Sequence, residues 1–141
     1  MTFVNRIIAT IIARLDTASG KPPGLIVLAS RQQPSNAGTL IKVFPVNDAA
    51  ADDNAPRVRI GVRRILTVAV MCRSAGTDIN NEILRAWTHA QLFADETLGG
   101  VAVCIREGDT DWHGELDSKQ DSSMAVMQYG VEYSRPKNTL E

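Results

Sequence analysis

The stretch from Arg57 to Arg73, "RVRIGVRRILTVAVMCR", contains the strongest secondary-structure signal in the chain. Its even-numbered residues are apolar except for Arg64, whereas its odd-numbered residues begin as arginine or glycine and become mostly apolar from Ile65 onwards. This alternation indicates a β-strand, in which successive side chains point to opposite faces of the sheet. We therefore predict one long strand whose second half is apolar on both faces and needs cover on each.

The predicted strand is long for a domain of this size. Its seventeen residues would span about 56 Å when extended, whereas a spherical domain of 141 residues is about 37 Å across, judged from its expected radius of gyration. We predict that the basic half, residues 57–64, projects from the domain as part of a β-hairpin. Because an isolated two-stranded hairpin is barely stable in water, we also predict a partner that covers it.

Two helices are predicted, one before and one after this strand. Apolar residues recur at helical spacing from Phe3 to Leu15 behind the N-cap candidate Thr2, which predicts an amphipathic helix over about residues 3–16. A second helix starts near residue 78 and ends at "ETLGG", where glycine can adopt a positive φ. Its predicted buried stripe is Ile79, Ile83, Ala86, Trp87, Ala90 and Phe93, and its predicted exposed stripe is Glu82, Arg85 and His89.

Shorter strand patterns cover residues 39–46, 101–107 and 124–134. Pro45 places a bulge or an edge near the end of the first of these, and "LIVLAS" (25–30) fits either a short strand or buried chain. The polar segments 47–56 and 108–123 are predicted to be connections. The order α-β-β-α-β-β predicts a single α+β domain: a mixed or antiparallel sheet of four or five strands, two amphipathic helices on one side, and the projecting β-hairpin.

Composition and charge exclude several classes of protein. Fifteen basic and sixteen acidic residues give a net charge of −1, so no overall field draws the chain to DNA or to an anionic membrane. The apolar runs are too short for a bilayer span, and the N-terminal segment lacks the basic start of a signal peptide. Cys72 and Cys104 lie in apolar runs and are predicted to be free thiols. These features favour a cytosolic protein.

The sequence contains no strong catalytic, cofactor or metal motif. It has neither a phosphate-binding loop nor a G-x-S-x-G elbow, and its two histidines, His89 and His113, show no zinc spacing with the cysteines. The segment "DTDWHGELDSKQ" (109–120) resembles a calcium loop, but His113 and Gln120 occupy positions that need oxygen ligands, the last a bidentate glutamate. We therefore predict an exposed acidic loop there, no cofactor and no enzyme activity.

The basic row Arg57, Arg59 and Arg63 has three interpretations: a solvated strand face, a salt-bridged subunit interface, or a contact with passing DNA. The absence of interleaved aromatic residues counts against single-stranded nucleic acid. The predicted subunit interface comprises Arg57, Val58, Arg59, Ile60, Val62, Arg63 and Arg64, with Asp48, Asp52 and Asp53 contributed by a neighbour.

The order of these parts resembles the tail terminator proteins of long-tailed bacteriophages. The resemblance covers nearly the whole chain and depends on order and spacing: an N-terminal helix, the arginine-bearing long strand, a capped helix ending in "FADETLGGVAV" and a closing "AVMQYGVEYSRP". Its most recognisable parts are "DETLGG" and "VEY". With such a role, "DETLGG" would be a structural turn between the second helix and the next strand rather than a site.

The resemblance implies a hexameric ring without catalytic activity. Such a ring caps the phage tail tube, stops polymerisation of the tube protein, presents a surface to the head–tail connector, and lets DNA pass without sequence-specific binding. It implies a location at the head-proximal end of the virion tail, after assembly in the host cytoplasm. Two alternatives stay open: another ring or head-completion protein of the phage neck, and a small-ligand-binding module or small enzyme with a pocket lined by Trp87, His89 or Trp112.

Overall fold

The computed structural model describes residues 1–29, 38–51, 61–76, 78–114 and 122–141. In these ranges the chain forms two α-helices and one mixed five-stranded sheet, which confirms the predicted α+β class. The elements are α1 (Phe3–Thr17), β1 (Ile26–Leu28), β2 (Leu40–Ala50), β3 (Gly61–Ala75), α2 (Asp78–Phe93), β4 (Cys104–Gly114) and β5 (Ser122–Pro136). Neither described helix is long and apolar enough to cross a membrane.

The sheet has the strand order β1-β2-β3-β5-β4. Only the β1–β2 pair is parallel, with Ile26 opposite Leu40, and the other pairs are antiparallel. The segment "LIVLAS" therefore contributes a strand, and the observed order is α-β-β-β-α-β-β rather than α-β-β-α-β-β. The strand β3 is central, because β2 pairs with one edge of it and β5 pairs with the other along its whole length.

The hydrophobic core lies between one face of the sheet and both helices. Antiparallel pairing places Val68 opposite Tyr129 and Val70 opposite Met127, as the alternating patterns of the two strands predict. Thr2 caps α1 as predicted, since its Oγ1 accepts a hydrogen bond from the Asn5 amide at 3.2 Å. The floor of the core consists of Ile41, Val43, Leu66, Val68, Val70, Cys72, Met127, Tyr129, Val131 and Tyr133, all buried.

The predicted buried stripe of α2 is wrong in its main part. Ile79 and Ile83 are 66% and 63% exposed, and Ala86 and Ala90 are exposed as well. The residues that α2 buries are instead Asn81, Leu84, Thr88 and Leu92. Two of these are polar, and hydrogen bonds satisfy them: the Asn81 amide donates to the carbonyls of Cys72 and Ser123, both at 2.9 Å, and the Thr88 hydroxyl donates to the Leu84 carbonyl at 2.8 Å.

Two strands are longer than the sequence predicted. The bulge expected at Pro45 is present, between Pro45 and Asn47, but β2 continues beyond it to Ala50. Similarly, β4 extends to Gly114, so the first part of the predicted acidic loop 108–123 is a strand at the edge of the sheet. Polar residues are tolerated in both places because one side of each segment faces solvent.

The strand β3 has 15 described residues. Its length is therefore about 50 Å, which is roughly twice the length of α2. Its first residues, Gly61 to Arg64, pair with the Tyr133–Pro136 end of β5, and Arg63 and Arg64 also pair with the end of β2. This end of the sheet is therefore three-stranded and not a lone two-stranded ribbon. Residues 52–60 lie outside the described ranges, so the projection of the hairpin stays a prediction.

Candidate functional site

The three-stranded end of the sheet holds the described part of the predicted subunit interface. On the helix side of this end, the Asp48 carboxylate accepts a hydrogen bond from the Tyr133 hydroxyl at 2.8 Å. Arg64 donates to the Asp48 carbonyl at 2.8 Å, and its Nε lies 3.4 Å from Oδ1 of the same residue. Phe3 of α1 stacks on the Tyr133 ring with centroids 6.0 Å apart. Asp48 and Arg64 are thus engaged with one another inside a single chain.

On the opposite face of the same end, Glu132 is the centre of a second ionic cluster. It is buried, and its two carboxylate oxygens lie 2.5 Å from Arg63 and 3.2 Å from Arg106. The Cys104 thiol lies 3.5 Å from one of these oxygens. The cluster links β3, β5 and β4, so Arg63 is an ion-paired residue and not a simple solvated arginine. The sequence did contain a signal for Glu132, a single charge in an otherwise apolar or neutral stretch of β5.

The remaining predicted interface residues divide into two groups. Val62 is half-buried on β3 beside Arg63 and Arg64. Six residues lie outside the described ranges, and their role as an interface stays a prediction: Asp52, Asp53, Arg57, Val58, Arg59 and Ile60. The described residues therefore place charges on both faces of one sheet end, each already neutralised within the chain.

The turn "DETLGG" is held by its aspartate. The Asp95 carboxylate accepts hydrogen bonds from the Thr97 hydroxyl at 2.6 Å, the Thr97 amide at 3.0 Å and the Gly99 amide at 2.9 Å, and Arg14 of α1 donates to the Asp95 carbonyl at 2.8 Å. These bonds, led by that of the Thr97 hydroxyl, lower the pKa of Asp95 to about 2. Gly99 and Gly100 have φ of 71° and 96°, as expected of a glycine turn. All of these contacts are explained by a turn that fixes α2 relative to β4.

A cleft of about 350 Å³ lies between α2 and β4. Its lining is Glu82, Arg85, Ala86, His89, Glu107, Thr110 and Met127. The Arg85 guanidinium lies 4.9 Å from the centre of the exposed Trp112 ring and donates to Asn81 at 3.1 Å. His89 is half-buried rather than fully solvated, and its Nδ1 lies 2.9 Å from the Tyr129 hydroxyl. The cleft therefore offers charged side chains and the His89 ring to a small polar ligand.

Two core groups near the cleft, Tyr129 and Cys72, are poor nucleophiles. Burial raises the pKa of the Tyr129 phenol, which stays protonated at neutral pH. Burial also raises the pKa of the Cys72 thiol to about 12, so this cysteine is an apolar core residue. Among the described residues, no group of three or more His, Cys, Asp and Glu side chains could hold a metal ion.

The fold is shared by a chain of a solved particle, described as "Virion of native gene transfer agent (GTA) particle". The match has a TM-score of 0.60 and covers 94% of this chain and 98% of that chain. The chain has the fold of a virion component. Because only 11% of the residues are identical, the likeness shows the fold alone. No protein-family model matches the chain, and no curated protein matches its sequence.

Proposed function

We propose that the chain is a structural virion protein that forms a ring at the head-proximal end of a phage tail. The ring caps the tail tube, stops polymerisation of the tube protein and provides the surface for head–tail joining. The observation that carries the proposal is the shared fold, which covers almost the whole of this chain and of a virion chain. The sequence resemblance to tail terminators points to the same kind of protein independently of the structure.

The physical mechanism of the cap is ring closure. A head-to-tail interface either closes into a ring or grows into a filament, depending on the rotation between neighbours. A closed ring that matches the tube on one side only leaves no surface for the next tube ring, so the tube stops growing. The sheet suits this role because β3 pairs with β5 over its whole described length and with β2 from Arg64 to Arg73, which makes it a stiff support for the hairpin.

Apolar residues of the hairpin supply the energy of closure in this proposal. Val58, Ile60 and Val62 lie on one face of the predicted strand. Each such side chain contributes roughly 1.5–3 kcal/mol when it is fully buried against a neighbour. Among these residues only Val62 is described, and it is half-buried, so it retains surface that a neighbour can cover.

Tube polymerisation in the presence of the chain tests the proposal. Purified tube protein is mixed with native chain, and tube lengths are measured by electron microscopy while native mass spectrometry counts subunits. We expect short capped tubes and a six-subunit species. Ile60→Asp should abolish capping while leaving the monomer folded, and Val103→Asp, at a residue that is 46% exposed and outside the predicted interface, should behave as native. Tubes that grow equally long with and without native chain contradict a terminator, and selective binding to a portal-side protein would instead indicate another ring of the neck.

A second candidate function, a ligand-binding module, is favoured by the cleft between α2 and β4. Arg85, His89 and Glu107 line it, and the Trp112 ring lies under the Arg85 guanidinium. A ligand there should protect the chain against thermal unfolding and shift the Trp112 fluorescence. His89→Ala should remove both effects, while native chain that shows neither with a library of small polar metabolites would exclude this candidate.

A further inference from the structure

The α2 helix carries an apolar stripe on its outer surface. Ile79, Ile83, Ala86 and Ala90 are four, three and four residues apart, so they lie on one face of the helix, and all four are exposed. The two isoleucines are 66% and 63% exposed. A single exposed apolar residue is usual on a protein surface, but two neighbouring ones are less usual. We call these four residues the α2 ridge.

A concave apolar surface lies elsewhere on the molecule, along α1. It is a groove of about 460 Å³ between α1 and the β1–β2 edge of the sheet. The main residues of this α1 groove are Met1, Ile8, Ala9, Ile12, Ala13 and Ala29. Ala9 and Ala13 are exposed, and small side chains at these two positions allow the backbone of another helix to approach closely.

Charges beside the two surfaces have opposite signs. Glu82 is exposed next to Ile83 on α2, and Arg6 is exposed on the first turns of α1, where its guanidinium lies 4.9 Å from the centre of the Phe3 ring. In the described part of the chain neither Glu82 nor Arg6 makes an ion pair. When the ridge lies in the groove with α2 parallel to α1, the two charges come to the same end of the contact.

We propose that the α2 ridge of one copy docks in the α1 groove of the next copy. The occupant is a second copy because one chain carries both halves of the contact, one convex and one concave, on different parts of its surface. Such a pairing is head-to-tail, the kind that closes into rings. The inference rests on the proposed ring function, and it assigns to the ring an interface separate from residues 57–64.

Complementation between two variants tests this contact. Ile83→Asp places a charge on the ridge, and Ala9→Asp places one in the groove; both positions are exposed, so both variants should fold, which circular dichroism checks. Native chain and the control Val103→Asp should self-associate in sedimentation velocity at high protein concentration. Each ridge or groove variant alone should associate at least a hundredfold more weakly, whereas their equimolar mixture should form heterodimers and nothing larger, because each copy keeps one intact surface.

Disulfide trapping gives a second readout that also detects a weak contact. Chains with Ile83→Cys and Ala9→Cys should cross-link when mixed, and neither should cross-link to itself. Self-association of Ile83→Asp equal to native, a mixture that stays monomeric, or native chain that neither associates nor cross-links through these positions would overturn the inference. If native chain caps tubes and Ile83→Asp caps them equally well, the ridge–groove contact is wrong while the proposed function stands. If the chains associate through ridge and groove but never cap tubes, the contact stands while the proposed function is wrong.

Discussion

Replacement of Asp48 by alanine separates a structural role of this residue from a role between subunits. In the structure Asp48 accepts a hydrogen bond from the Tyr133 hydroxyl at 2.8 Å and lies against Arg64 of the neighbouring strand. Tyr133 is only 1% exposed, so its hydroxyl depends on Asp48 for an acceptor. The Arg64 side chain is 23% exposed and can still reach water when the carboxylate is removed.

The expected loss follows from these exposures. A buried hydroxyl without an acceptor costs about 1–3 kcal/mol of stability. Because Asp48 is a charged acceptor, the loss of this bond is expected in the upper part of that range. The ion pair with Arg64 adds less, because partly exposed pairs contribute about 0–1 kcal/mol. We expect Asp48→Ala to lower the free energy of unfolding of the monomer by about 2–3 kcal/mol, and the midpoint of thermal unfolding by roughly 5–10 °C.

The assay is urea unfolding of native chain, Asp48→Ala, Tyr133→Phe and the double variant, at a concentration where the chain is monomeric. In the Tyr133→Phe background no hydroxyl is left without an acceptor, so Asp48→Ala should cost about 1 kcal/mol less than in native chain. If Asp48→Ala changes the free energy of unfolding by less than about 0.5 kcal/mol, below the range expected for a lost buried bond, and yet abolishes self-association, the structural reasoning is refuted. Asp48 would then act between subunits, as the sequence predicted.

Three further predictions concern titratable groups. Burial, then the bond to Asp48, raises the pKa of Tyr133, so its contribution to stability is complete below the ordinary tyrosine pKa of about 10 and is lost as the pH rises through the higher folded value; Tyr133→Phe should flatten the alkaline decline seen by urea unfolding. The pKa of Asp95 falls to about 2, so its contribution is present above pH about 4 and is lost as the pH falls towards 2, and Asp95→Asn should flatten that acid decline in the same assay. Burial raises the pKa of Cys72 to about 12, so Cys72 should react with a thiol reagent only after unfolding. If Cys72 of the native chain is labelled before the half-buried Cys104, the core position of Cys72 is wrong.

The central strands were predictable from sequence because each of their faces has one kind of environment along most of the strand, so apolar residues alternate regularly. Val68 and Val70 on β3 face the helices, and the alternation along both strands fixed which face of β5 meets them. The face of α2 was not predictable in the same way. Asn81 and Thr88 are buried because partners on other elements or on the preceding turn satisfy them, and a polar residue in a sequence gives no sign of such partners.

The candidate interface was predicted in its residue types but not in its pairing. Arg64 and Asp48 are opposite charges brought together, yet they meet inside one chain because the β2–β3 register places Ala50 opposite Arg64. The bulge at Pro45 shifts that register by one residue, and a sequence pattern does not show where such a shift falls. Glu132 was missed as the partner of Arg63 because the two meet across adjacent strands and not within one segment of sequence.

These intrachain pairs bear on how a ring could be held together. Arg63 and Arg64 each have a carboxylate partner in their own chain. If either arginine formed an ion pair with a carboxylate of a neighbouring subunit, its ion pair within the chain would be lost. Such an exchange yields little net free energy of association. Charge at this end of the sheet can therefore orient neighbours, whereas the free energy of association has to come from apolar surface. Within the described residues the largest uncovered apolar side chains on a single helix face are Ile79 and Ile83, so substitutions in the α2 ridge are the first test of the proposed ring.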